Sequence, residues 1–168
     1  MKTLFLSVVL LLIFYLCKAQ PKFTDSLQHE LAVAKDDTTK ALILFSLSQY
    51  YTTIQLDKSF YFAQQAIELS QKVNYKYGEA LGIFNLASAF DKESNYSKSL
   101  DMAYHCLAIA EQLKYRKAYV MSLAYFQIGL VNRLTNNDRQ AVVNQHYAIS
   151  LYQQSGKEDE YLYHFFAH

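Results

Sequence analysis

The sequence predicts an all-α protein, and three observations lead to that prediction. Apolar side chains recur at the helical spacings i, i+3, i+4 and i+7, as in Leu86, Ala89 and Phe90 and in Leu100, Ala103 and Leu107. The strict alternation of apolar and polar residues that marks a half-buried strand is absent. Glycine and proline are scarce, at 4 and 1 residues, so the helical stretches are divided by short polar clusters instead.

These clusters set the order and length of the predicted helices. They lie at residues 35–39, 55–57, 74–78, 94–95, 136–138 and 155–159. A first helix near residues 24–35 precedes the others and is expected to cap them. Further helices are expected near residues 38–54, 57–74, 78–93, 96–115, 118–135, 138–155 and 158–168.

Three stretches of the chain repeat one another. Equivalent positions in the predicted first helix of each copy are Leu47, Leu86 and Ile128, at spacings of 39 and 42 residues. Equivalent positions in the second helix are Ala66, Cys106 and Ala148, at spacings of 40 and 42 residues. One helix pair cannot bury its apolar stripe alone, but stacked pairs share a continuous core. The sequence therefore predicts a right-handed α-solenoid of stacked antiparallel helix pairs.

Small residues recur at two places in each copy. Ser48, Ala87 and Gly129 are expected where the two helices of a pair cross, and Ala66, Cys106 and Ala148 where the second helix packs on the next pair. A large side chain at either place would push the helix axes beyond their usual separation of about 8–10 Å.

These positions resemble the tetratricopeptide repeat over roughly residues 40–155. The first copy matches at Leu44, Leu47, Ser48, Tyr51, Ser59 and Ala66. The second matches at Ile83, Leu86, Ala87, Phe90, Ser99 and Cys106, and the third at Tyr125, Ile128, Gly129, Ala141 and Ala148. The resemblance implies a helical-repeat scaffold that binds a protein or peptide, with no catalysis and no cofactor.

Two departures from the family pattern qualify this resemblance. The family repeat has about 34 residues, whereas these copies are spaced by 39 to 42. The proline that ends the second helix is missing, and Gln71, Glu111 and Gln153 stand in its place. The second helices are therefore expected to run about one turn longer. This long form resembles the extracytoplasmic sensor regions of bacterial signalling proteins such as histidine kinases, which implies an input role in signal transduction.

The N-terminal residues 1–19 have the pattern of a secretory signal peptide. Lys2 precedes an apolar run at residues 4–16, and small residues before Gln20 suit cleavage near Ala19. The run is too short for a bilayer, which needs about 20 apolar residues. We therefore expect export to the periplasm or the extracellular space.

The remaining chain divides into a capping helix and the repeats. The capping helix is assigned to residues 20–37, and the repeats to residues 38–76, 77–116 and 117–156, followed by a partial fourth copy at 157–168. That partial copy is aromatic, with Tyr161, Leu162, Phe165 and Phe166, and an unfinished repeat leaves an apolar edge. Either the natural protein continues past His168, or this edge docks on a second copy of the chain. The alternative function is accordingly a structural module that forms a homo-oligomer through this C-terminal edge.

Charge and cysteine content exclude several classes of partner. The chain has 16 basic and 15 acidic side chains, and removal of Lys2 and Lys18 leaves 14 basic ones. No basic field therefore remains for nucleic acid or for an anionic membrane. Cys106 is the single cysteine after cleavage, so no internal disulfide can form.

The candidate binding face follows from the resemblance, which places the first helix of each pair on the concave side. A phenylalanine recurs in all three copies, either as a ligand-gripping stripe or as buried packing. Asn85 and Gln127 are expected at the surface, where an amide can bond a peptide backbone. The full set is Phe45, Gln49, Thr52, Phe84, Asn85, Ser88, Asp91, Lys92, Phe126, Gln127, Leu130 and Arg133.

Two further candidates are interpreted as structural. Cys106 occupies a small-residue packing position and is expected to be a buried thiol rather than a nucleophile. His164 and His168 have the i, i+4 spacing of a metal-binding pair, but no third ligand accompanies them. No catalytic residue and no metal site is therefore assigned.

Overall fold

A computed structural model describes residues 20–156 of the protein, with side chains from residue 23 onward. Seven α-helices and no β-strand form within this range, which confirms the all-α prediction there. The helices are α1 Gln20–Val33, α2 Asp37–Tyr51, α3 Leu56–Lys72, α4 Lys76–Lys92, α5 Tyr96–Ala110, α6 Lys117–Leu134 and α7 Asp138–Gln154. The predicted signal peptide and the predicted helix at 158–168 lie outside the described residues.

The expectation of a longer second helix is wrong for the second copy. Helix α5 has 15 residues and ends at Ala110, whereas α4 before it has 17. Beyond Ala110 the polar residues Glu111 and Gln112 offer no apolar face, and Leu113 packs against the core from the connection itself. The extra residues of this copy therefore form the connection 111–116 rather than another helical turn.

Three of the helices end in the same tight turn. After α3, α4 and α6, one capping residue is followed by a residue in the left-handed conformation, namely Asn74, Ser94 and Asn136, with φ of 56°, 61° and 61°. The next helix begins two residues later in each case. Asn tolerates this conformation better than most residues, because its short polar side chain can bond the nearby backbone.

Helix packing follows chain order and adds a second set of contacts. Each described helix packs against the next one, and the first helices of the three copies also touch, α2 against α4 and α4 against α6. Helix α1 covers α2, since Leu27 and Leu31 pack against the buried cluster of Ile43, Leu47 and Tyr51. None of the described helices combines the length and the apolar character needed to cross a bilayer.

The predicted small-residue positions are buried, and they bring helices close together. Ser48, Ala66, Ala87, Cys106, Gly129 and Ala148 are all buried. A Cβ atom added at Gly129 would lie 2.9 Å from Cγ of Gln145 and 3.2 Å from the main-chain oxygen of Ala141. Helices α6 and α7 therefore cross at a place that admits almost no side chain, as the repeat pattern predicted.

Candidate functional site

The structure divides the predicted binding face by exposure. Phe45, Phe84, Asn85, Asp91 and Gln127 are buried. Gln49, Thr52, Ser88 and Leu130 are half-buried, and Lys92, Phe126 and Arg133 are exposed. Part of the predicted face is thus internal packing, while the rest remains accessible on α2, α4 and α6.

The prediction that Asn85 lies at the surface is wrong. Asn85 is 1% exposed, and its Nδ2 donates a hydrogen bond of 2.8 Å to the main-chain oxygen of Phe45. Burial of an amide requires such a partner, because an unpaired polar group is costly in the interior. The side chain therefore joins α4 to α2 and is not free to bind a peptide backbone.

Gln127 is likewise internal, contrary to its predicted surface role. Its Nε2 donates to Oγ of Ser99 at 3.1 Å, and its Oε1 accepts from Oγ of Ser88 at 3.2 Å. One amide thus links α6 to both helices of the second copy. The repetition of an amide at equivalent positions was visible in the sequence, but its partners are 28 and 39 residues away in the chain.

The three phenylalanines do not share one environment. Phe45 and Phe84 are buried, at 7% and 6% exposure, and belong to the largest apolar cluster. Phe126 is 38% exposed on α6. The packing interpretation therefore holds for the first two copies, and only Phe126 presents a substantial apolar surface to solvent.

In the first copy, hydroxyl groups form a hydrogen-bond network between α2 and α3. Oγ of Ser48 donates to the main-chain oxygen of Ser59 at 2.9 Å, which ties α2 to α3. Oγ1 of Thr52 lies 2.8 Å from Oγ of Ser59 and donates to the main-chain oxygen of Ser48 at 2.9 Å. Half-buried Thr52 is therefore partly committed to internal hydrogen bonds.

Asp91 stands at the position of Thr52 in the second copy, but it lacks this network. It is buried, and its Oδ1 has no hydrogen-bond partner among the described residues. Burial raises the pKa of this carboxyl, while the nearby charge of Lys92 opposes the shift. Burial therefore disfavours the ionised form of this carboxyl relative to the unfolded chain.

Cys106 is buried, as predicted. Its Sγ lies 3.3 Å from the main-chain oxygen of Ala80, and burial raises the pKa of the thiol to about 12. Because only the thiolate is nucleophilic, a thiol with a raised pKa is a poor nucleophile, and its buried position suits packing.

The His164 and His168 pair falls outside the described residues. Within residues 20–156, no group of three or more His, Cys, Asp and Glu side chains is placed to hold a metal ion.

One contact within the second copy was not anticipated from the sequence. Arg116 has a left-handed backbone, with φ of 58°, and its guanidinium lies 4.8 Å from the ring centre of Tyr77. Its Nη1 also donates to the hydroxyl of Tyr77 at 3.0 Å. The 39-residue separation of this pair hides it from any local pattern. The contact fastens the connection 111–116 to the start of α4.

No protein-family model, curated protein or solved structure matches the chain. The resemblance to the tetratricopeptide repeat therefore rests on the repeated residues themselves and on the helices they form.

Proposed function

We propose that the protein is a non-catalytic helical-repeat module, a right-handed α-solenoid of the long tetratricopeptide type that binds a protein or peptide. The observation that carries the proposal is the contact of the three first helices, α2 with α4 and α4 with α6. Buried amides support it, since Asn85 and Gln127 each join equivalent helices of adjacent copies. Contacts that recur at the repeat spacing are typical of stacked pairs.

The proposed binding surface is the accessible part of these first helices. On α6 it has Phe126, Leu130 and Arg133, whose i, i+4, i+7 spacing places them on one stripe of the helix. Ser88 and Lys92 continue the surface on α4, and Gln49 and Thr52 on α2. The surface thus has its apolar side chains, Phe126 and Leu130, on α6 and is polar elsewhere, which suits a peptide with one apolar anchor and a polar remainder.

Peptide selection with the chain from Gln20 onward tests this binding role. Peptides are selected from a random library and then measured against Phe126→Asp and Arg133→Glu. We expect each variant to weaken binding by about tenfold or more, because Phe126 is the apolar anchor and Arg133 orients the peptide.

The matched control is Val143→Asp, which also adds a charge at an exposed apolar position but lies on α7. It should leave binding unchanged. Equal loss of binding in all three variants, or no loss in any, would rule out the surface proposed here.

We propose further that the protein is exported after cleavage near Ala19 and acts as the input region of a signalling system. The support is the signal-peptide pattern of residues 1–19 together with the resemblance to sensor regions. The N-terminal sequence of the protein recovered from the producing cells tests this. It should begin at Gln20 in an extracytoplasmic fraction, whereas an intact Met1 in the cytoplasmic fraction would contradict export.

A further inference from the structure

Asp91 is buried on α4 without a bond that explains its burial. It is 8% exposed, and its Oδ1 has no hydrogen-bond partner among the described residues. Within residues 20–156 it forms no ion pair either. Because a buried carboxylate without a partner costs stability, packing gives no reason for an acidic residue at this place.

The equivalent residue of the first copy shows how this position is satisfied elsewhere. Oγ1 of Thr52 lies 2.8 Å from Oγ of Ser59, which joins α2 to α3. By the spacing of 40 residues, Ser99 takes the place of Ser59 in the second copy. Its hydroxyl accepts a hydrogen bond of 3.1 Å from Nε2 of Gln127. The hydroxyl that serves Thr52 in the first copy is therefore bonded to α6 in the second, and Asp91 keeps an oxygen that bonds nothing in the described chain.

Asp91 lies beside the accessible part of the proposed binding surface. It follows Ser88 by three residues on α4, a spacing that places both side chains on one stripe of the helix. Ser88 is half-buried, and α4 packs against α6, which carries the exposed Phe126. The terminal torsion of an aspartate is broadly distributed, so either carboxyl oxygen can turn toward a ligand on this surface.

We infer that Asp91 receives a basic side chain of the bound peptide, an inference that rests on the proposed binding function. An ammonium or guanidinium group supplies both the donor that Oδ1 lacks and a compensating charge. Because adjacent helix axes lie about 8–10 Å apart and an extended chain advances about 3.3 Å per residue, the basic residue stands about three to four positions from the apolar residue that contacts Phe126 and Leu130.

Two neighbouring cations make this choice of partner depend on Asp91. Lys92 follows it on α4, and Arg133 occupies the equivalent position on α6, 42 residues later. Both are exposed. They repel a basic group and attract an acidic one, so a chain without the Asp91 carboxylate should no longer select basic residues.

Peptide selection from a random library, against the chain from Gln20 to His168 and against Asp91→Asn, tests the inference. The amide keeps the shape of the side chain and removes its charge, and it breaks no hydrogen bond of the described chain. Peptides selected by the natural chain should carry Lys or Arg at the stated distance from an apolar residue. Replacing that Lys or Arg by Gln should weaken binding to the natural chain by about tenfold, but binding to Asp91→Asn by less than about twofold.

Asp101→Asn is the matched control, since it removes the same charge from an exposed position on α5. It should keep the preference for Lys or Arg. Selected peptides that need Phe126 but carry no basic residue would overturn the inference and leave the proposed binding function intact. So would a change to Gln that costs the natural chain and Asp91→Asn equally. A selection that yields no peptide for the natural chain would contradict both.

Discussion

The two junctions between adjacent copies use equivalent positions but different contacts. At the first junction, between α2–α3 and α4–α5, the amide of Asn85 bonds the main chain at Phe45, and Ile67 packs where α4 has Gly82. At the second junction, between α4–α5 and α6–α7, Gln127 bonds only the hydroxyls of Ser88 and Ser99.

The two junctions also differ in the length of the segment that connects their helix pairs. The first junction is crossed by the short turn 73–75, whereas the second uses residues 111–116 and the contact of Arg116 with Tyr77. Phe84 is buried at the first junction, while its equivalent Phe126 is exposed at the second. A repeat register thus fixes which positions meet, but the connection length and the size of the residue at each position decide how closely they pack. The exposed apolar residue of the proposed binding surface, Phe126, belongs to the second junction.

The two phenylalanines should give the largest difference between the junctions. Phe84→Ala removes a buried ring and should lower the free energy of unfolding by about 3–5 kcal/mol. Phe126→Ala removes a ring that already contacts solvent and should cost about 1 kcal/mol or less. Urea denaturation with equal m values would check both. Equal losses for the two variants would contradict the assignment of Phe126 to an accessible surface.

The buried amides should give a smaller difference. Asn85→Leu keeps the branched shape but leaves the main-chain oxygen of Phe45 without this donor, so a loss of about 1–2 kcal/mol is expected. Gln127→Met should cost less, about 0.5 kcal/mol, because Ser88 and Ser99 can turn their hydroxyls to carbonyls of their own helices.

The same urea titrations measure this pair. A larger loss for Gln127→Met than for Asn85→Leu would mean that the amide contributes more stability at the second junction than at the first, the opposite of what is expected.

Asp91 should give the smallest effect, and one that depends on pH. Burial raises its pKa in the folded chain above the value of about 3.9 for an unfolded chain. The contribution of such a carboxyl to the free energy of unfolding is therefore fully present below the unfolded-state pKa, where both states are protonated. It is lost as the pH rises through the folded-state pKa. Asp91→Asn should therefore be more stable than the natural protein at pH 7, and the gap should close toward pH 4.

Thermal unfolding at several pH values measures that gap. Asp101→Asn, at an exposed position on α5, is the control and should show no comparable gap. A destabilised Asp91→Asn at pH 7 would mean that the ionised carboxyl has a stabilising partner.

Local pattern predicted most of the helices because their spacing and capping residues are properties of short segments. The turns at Asn74, Ser94 and Asn136 coincide with predicted polar breaks. The end of α5 was misplaced because the missing proline suggested a longer helix, whereas the helix ends at Ala110 and Leu113 packs from the connection. The position of Cys106 was correct because small residues recur at that place in every copy.

The binding face was harder to predict, since exposure depends on the element that lies opposite. Asn85 and Gln127 are polar residues, and polarity alone favours the surface. Their partners lie in a different copy, so the sequence holds no local sign of them. Phe126 shows the reverse case, an apolar residue in a buried register that stays accessible.

The sequence by itself determined the helical character of residues 20–156, the recurrence of one residue pattern along them, and the positions of the small buried residues. These properties follow from periodicity, which the chain carries in its residue order. The tertiary structure alone decided which equivalent residues are buried, where the amides find partners, and that Oδ1 of Asp91 has no hydrogen-bond partner within residues 20–156. Those outcomes depend on distances between segments about 40 residues apart, and such distances are set only when the helices pack.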